Sequence, residues 1–133
     1  MNFRYIYIVL LLISCHCSAQ EMKDTLSFQQ FKGYDHELKG SALLYKDSLG
    51  NVLLDLVDMR MTEAPDAKLY LTKTDTYHKS KALKLADLKS IFDEETTTYT
   101  LPKDIDLSSY KNVIIWCYQY NVLFGNAPII LKK

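Results

Sequence analysis

Apolar and polar residues alternate along most of this chain, and the alternation breaks at short clusters of turn formers. Residues 36–46 (His-Glu-Leu-Lys-Gly-Ser-Ala-Leu-Leu-Tyr-Lys) read as a strand. Asp47-Ser-Leu-Gly-Asn51 then makes a tight turn, because Gly50 takes positive φ freely and Asn51 tolerates it. Residues 52–59 return as a second strand, which gives the clearest hairpin in the chain. A loop over 60–66, punctuated by Pro65, leads to a strand at 68–72 with Leu69 and Leu71 on one face and Tyr70 on the other. Residues 74–91 fit either a helical turn or two or an extended segment; the alternation of Leu83 and Leu85 predicts a strand at 82–85 and a turn from Asp87. Residues 96–101 have high β propensity and stop at Pro102, which cannot donate to a ladder. Asp106 is placed to cap a single helical turn over 107–110.

The richest block follows. Residues 112–120 form the most apolar strand, with further strands expected at 122–124 and 127–131 on either side of Gly125. Alternation puts Val113, Ile115 and Cys117 on one face and Ile114, Trp116 and Tyr118 on the other. Both faces are apolar, so the strand belongs at the centre of a sheet. One side meets an opposing sheet, and the other is covered by the N-terminal leader or by a crossing loop. About eight short strands without βαβ spacing predict an all-β fold, a small antiparallel β-sandwich or barrel.

The N-terminus changes the picture of where this domain works. Residues 1–19 read as a Sec-type export signal: Arg4 is basic, residues 6–13 are apolar, and Cys17, Ser18 and Ala19 suit cleavage before Gln20. The apolar run is far below the roughly 20 residues needed to span a bilayer. A competing reading takes Leu12-Ile-Ser-Cys15 as a lipobox, with Cys15 lipid-modified and retained as an anchor. The organisation expected is a signal over 1–19, a flexible polar leader over 20–30, and one β domain over 31–133, with no transmembrane helix after the signal. The setting is extracytoplasmic, either secreted or periplasmic or lipid-anchored.

Charge narrows the partners. Removing residues 1–19 takes away one of the 16 basic residues and none of the 16 acidic ones, leaving the rest close to neutral. The charges are scattered, with no basic stripe to track a phosphate backbone, so nucleic acid is excluded as a partner. An envelope protein or redox partner fits better.

Three chemistries compete for the remaining residues. Cys117 is the lone cysteine beyond the processing region, and it is read as a buried apolar residue, a free redox thiol, or half of an intermolecular bridge. A reactive thiol needs a nearby cation or helix N-terminus and some exposure; the neighbours Val113 and Ile115 predict neither. Copper would need a compact Cys-x-His-x-Met type of loop, whereas Tyr118-Gln-Tyr120 follows Cys117. Hydrolytic chemistry lacks a triad, and Asp55 and Asp58 fall on opposite faces of a regular strand. A binding module without chemistry is the alternative. Tyr70, Tyr77, Tyr99, Tyr118 and Tyr120 would then line an aromatic groove for a glycan, peptide or protein.

The run Tyr110, Val113, Ile115, Trp116, Cys117, Val122, Phe124, Gly125 and Ala127 resembles the signature of the DM-thirteen domain. Gly33, His36 and Gly40, Ala64-Pro-Asp66, Leu69-Tyr-Leu71, Asp87-Leu-Lys89, Tyr99 and Asp104 agree with it in order. The chain departs from the pattern at Ala64 and Asp87, where the family commonly has glycine, and residues 91–96 also lack one. The resemblance implies an extracytoplasmic all-β domain with a proposed electron-transfer role centred on Cys117, and, by analogy with DOMON domains, haem binding. Candidate axial ligands are His36, His78, Met59, Met61 and Cys117, although no Cys-x-x-Cys-His attachment motif is present. The residues singled out are Cys117 for redox chemistry, His36, Trp116, Tyr70 and Tyr118 for ligand binding, and Cys15 for lipidation. No metal site is expected.

Overall fold

The computed structural model describes residues 23–34 and 37–133, so the export signal, Cys15 and His36 lie outside the described residues. Nine strands form two antiparallel sheets. The first sheet has the order β1 (Asp24–Gln30), β3 (Leu38–Lys46), β4 (Val52–Met61), β7 (Phe92–Thr100). The second runs β2 (Lys32–Gly33), β9 (Val122–Pro128), β8 (Asn112–Cys117), β5 (Ala67–Thr72), β6 (Ala82–Asp87). This is the expected all-β sandwich, with one strand more than the reading of eight.

The core lies between the inner faces. Leu44, Leu54, Leu56, Met59 and Met61 from the first sheet join Leu69, Leu71, Val113, Ile115, Cys117 and Phe124 from the second in one buried cluster. Alternation alone does not produce this arrangement in β4. Counting in twos from Leu54 and Leu56 would bring Asp58 and Arg60 inward. Instead the register against β7 shifts between Leu56 and Met59, where Asp58 takes φ 49°. One extra residue turns the charged side chains out and the methionines in. Opposite the bulge stands Gly40 at φ 130°, where a Cβ would come within 2.5 Å of Met59 Sδ.

Most boundaries follow turn chemistry. In the β3–β4 hairpin Asp47 Oδ1 accepts from the amides of Leu49 and Asn51 at 2.9 Å each, and Gly50 has φ 80°. Asp106 accepts from Ser108 N at 3.1 Å and caps the 3-10 turn Leu107–Ser109. Four expectations need correction. Residues 24–30, read as part of a flexible leader, form β1 along β3, where six of the seven residues find a partner. The loop read over 60–66 starts later, since the bulge carries β4 on to Met61. The strand read over 112–120 ends at Cys117; Asn121 at φ 50° closes a turn, its amide donating to Tyr118 O. Gly125 does not divide two strands. It lies inside β9, where a Cβ would meet Leu38 Cδ2 at 2.7 Å, so the glycine admits a side chain from the other sheet. Among the described residues, no helix is long and apolar enough to cross a membrane.

Candidate functional site

Strand β8 carries different chemistry on its two faces. Inward, Cys117 is 0% exposed and belongs to the core cluster, and its Sγ donates to Pro65 O at 2.9 Å. The thiol therefore ties the 62–66 connection down onto β8.

Outward, four side chains named from the sequence, Tyr70, Tyr77, Trp116 and Tyr118, come together. Pairing of β5 with β8 sets Lys68 opposite Trp116 and Tyr70 opposite Ile114. The segment following β5 then crosses over this face and is held there by polar contacts. Asn112 Nδ2 donates to Thr74 O at 3.2 Å and to Asp75 Oδ1 at 3.1 Å, and Asn126 Nδ2 donates to Asp75 O at 3.2 Å. The crossing-loop form of the sequence expectation holds, and the crossing delivers Tyr77. Its ring lies 4.9 Å from that of Tyr70, 5.1 Å from Trp116 and 5.7 Å from Tyr118, centroid to centroid. Tilted and edge-on geometries at these distances suit the ring quadrupoles.

The three phenols converge on one oxygen. Tyr70 OH donates to Tyr118 OH at 2.8 Å, and the hydroxyls of Tyr77 and Tyr118 are 2.5 Å apart. Burial and donation to Tyr118 push the Tyr70 phenol up, and the hydrogen bond with Tyr118 likewise raises Tyr77. Tyr118 moves the other way: hydrogen bonds from Tyr70 and Tyr77 hold it below the usual phenol range, with help from the charges of Lys68 and Lys79. Lys68 Nζ stands 5.5 Å from the Tyr118 ring centroid and bonds Asp87 at 2.6 Å and Asp66 at 2.9 Å. Lys68 and Lys84 together lower Asp87 to about 2. Trp116 Nε1 is buried and has no hydrogen-bond partner among the described residues.

The other candidates lie elsewhere. Tyr99 is half-buried against the core, where its OH accepts from Thr97 Oγ1, and Tyr120 is exposed in the turn after β8. Asp55 is buried under Tyr45, Thr98 and Lys23, all of which donate to it, whereas Asp58 is exposed at the bulge. Met59, Met61 and Cys117 are packed within the core while His78 is exposed on the surface, so these donors share no open face that would admit a haem. Among the described residues, no group of three or more His, Cys, Asp or Glu is arranged to hold a metal ion. The sequence names Tyr77 among the groove tyrosines without fixing its ring partners, and Lys68 carries no signal that ties it to the site. Tyr77 arrives through a loop, which has no side-chain period, and Lys68 reads as an ordinary exposed residue of an alternating strand.

No curated protein and no solved structure matches the chain. A family model described as electron transfer DM13 matches residues 30–129, the whole span that carries both sheets from the end of β1 onward. With its sandwich, its β8 block and that match across most of its length, the chain belongs to the electron transfer DM13 family.

Proposed function

We propose that this domain is an extracytoplasmic electron-transfer module whose redox-active group is the aromatic cluster outside β8 rather than the thiol of Cys117. The observation that carries the reading is ring contact, with Tyr77 touching Tyr70, Trp116 and Tyr118 at 4.9 to 5.7 Å between centroids. Indole and phenol give up single electrons more readily than other sulfur-free side chains, and rings in contact pass an electron without crossing solvent. The unpartnered Nε1 of Trp116 gives the cluster a direction. An indole that loses an electron there has no acceptor for its proton among the described residues, so it stays a cation and draws an electron from a phenol.

Cys117 supports the reading by contrast. Thiolate chemistry requires access, and this thiol is closed off and engaged with Pro65. The export-signal reading of residues 1–19 supports work outside the cytoplasm, with an envelope redox protein or small one-electron carrier as partner. The mature protein starts at Gln20 or at a lipid-bearing Cys15, and its mass separates the two.

Trp116 is the only tryptophan, so its radical is readily followed. Azide radicals generated by pulse radiolysis oxidise it. The tryptophanyl absorbance is expected to decay into a tyrosyl signal at a rate independent of protein concentration, and Trp116→Phe removes the first phase. Decay solely by encounters between molecules would leave the cluster as a binding surface, the alternative reading.

A further inference from the structure

We infer that Tyr118 is the terminus of the cluster, exchanging an electron and a proton with the surroundings, and that Tyr70 and Tyr77 are positioning residues that act through its oxygen. This deepens the electron-transfer reading above and rests on it. Three elements bring the phenols together: Tyr70 lies on β5, Tyr77 on the crossing segment, and Tyr118 directly after β8. Tyr118 alone of the three combines a receiving oxygen with an exposed ring, being 38% accessible against 5% for Tyr70.

The charged groups facing it favour the same end. Lys68 on β5 stands over its ring, and Lys79 from the 3-10 turn Lys79–Lys81 adds positive charge. Asp66 and Asp87 face Lys68 and pair with it, so they compensate its charge more than they oppose Tyr118. The opposed shifts of the phenols make Tyr118 the first to lose its proton, and a phenolate yields an electron far more readily than a phenol.

The O–H bond of Tyr118 breaks, its electron reduces the Trp116 cation or an outside one-electron acceptor, and its proton passes to water at the exposed edge. A neutral phenoxyl remains, hydrogen-bonded by Tyr70 and Tyr77. A one-electron donor and a proton from water restore the phenol.

Two measurements on the intact protein test this. In a phenolate-absorbance titration, one tyrosine is expected to ionise ahead of the others. That early step vanishes in Tyr118→Phe and moves back toward the ordinary phenol range in Tyr70→Phe. In pulse radiolysis, the tyrosyl yield after Trp116 oxidation falls several-fold in Tyr118→Phe and is unchanged in Tyr120→Phe, a substitution in the same turn. A full tyrosyl yield in Tyr118→Phe overturns the assignment while leaving electron transfer through the cluster standing. Absence of the tyrosyl signal in the unsubstituted protein overturns both. An early ionisation that survives Tyr118→Phe overturns the hydrogen-bond basis for the choice of terminus. Melting curves of the variants confirm that each is folded.

Discussion

A single side chain sorts structural residues from reactive ones on β8. Cys117 fills the core and donates to Pro65 O, so in the native protein it is expected to resist a thiol reagent, and to react fully once denaturant opens the sandwich. Labelling at the native rate of a free thiol would return it to candidacy as a redox centre. Gly125 shows the same economy of space. A methyl at this position must displace Leu38 Cδ2, 2.7 Å away, with Lys32 O at 3.3 Å behind it. Gly125→Ala should cost about 1–3 kcal/mol, read as a lowered urea midpoint with an unchanged slope. The period of two was enough to read which residues of β8 face inward, but distances to residues far along the chain are not encoded in any local pattern. The contact between Gly125 and Leu38 is one of these.

Among the elements, the segment crossing the outer face of the second sheet matters most for the site. It has no regular structure over residues 73–78 and is anchored by side chains of the sheet below. Asn112 is 5% exposed and makes two of these contacts. Asn112→Ala leaves Thr74 O and Asp75 short of a partner, with an expected cost of about 1–3 kcal/mol. Tyr77 should also loosen from Trp116, which a change in indole fluorescence would report; an unaltered spectrum would mean that ring contacts alone hold the crossing. The bulge in β4 is the second decisive element. Alternation across Leu54, Leu56, Asp58 and Arg60 predicts a charged interior, and only the inserted residue restores an apolar one. A strand pattern read in twos has no means of locating such a slip, because it depends on what the partner strand can accommodate.

For the whole molecule, the shifted groups frame stability from both sides of neutrality. Asp87, Glu95 and Asp106 are held below their ordinary values, chiefly by Lys68, Lys89 and Ser108 respectively. A depressed carboxylate contributes stability above its unfolded value, near 4, and loses it as pH falls through the folded one. The melting temperature should therefore decline from about pH 4 toward about pH 2, and added salt should weaken the effect because the pairs are exposed. On the alkaline side Tyr70 and Tyr77 are raised, so the stability they contribute is present below about pH 10 and lost as pH rises through their folded values. Tyr118 shifts oppositely and offsets part of that loss. A melting temperature that holds constant on both flanks would mean these hydrogen bonds do not persist in solution.

The class of fold, the central place of β8 and the division of its two faces are legible in the order of residues, because strand period, turn chemistry and β propensity are local properties. It took the folded chain to make the thiol a core residue, to pair residues 24–30 with β3, and to bring Tyr77 and Lys68 to Tyr70, Trp116 and Tyr118. Those outcomes depend on strand pairing and on a loop laid across a sheet. Residues distant along the chain become neighbours there for reasons that lie in the packing of the whole.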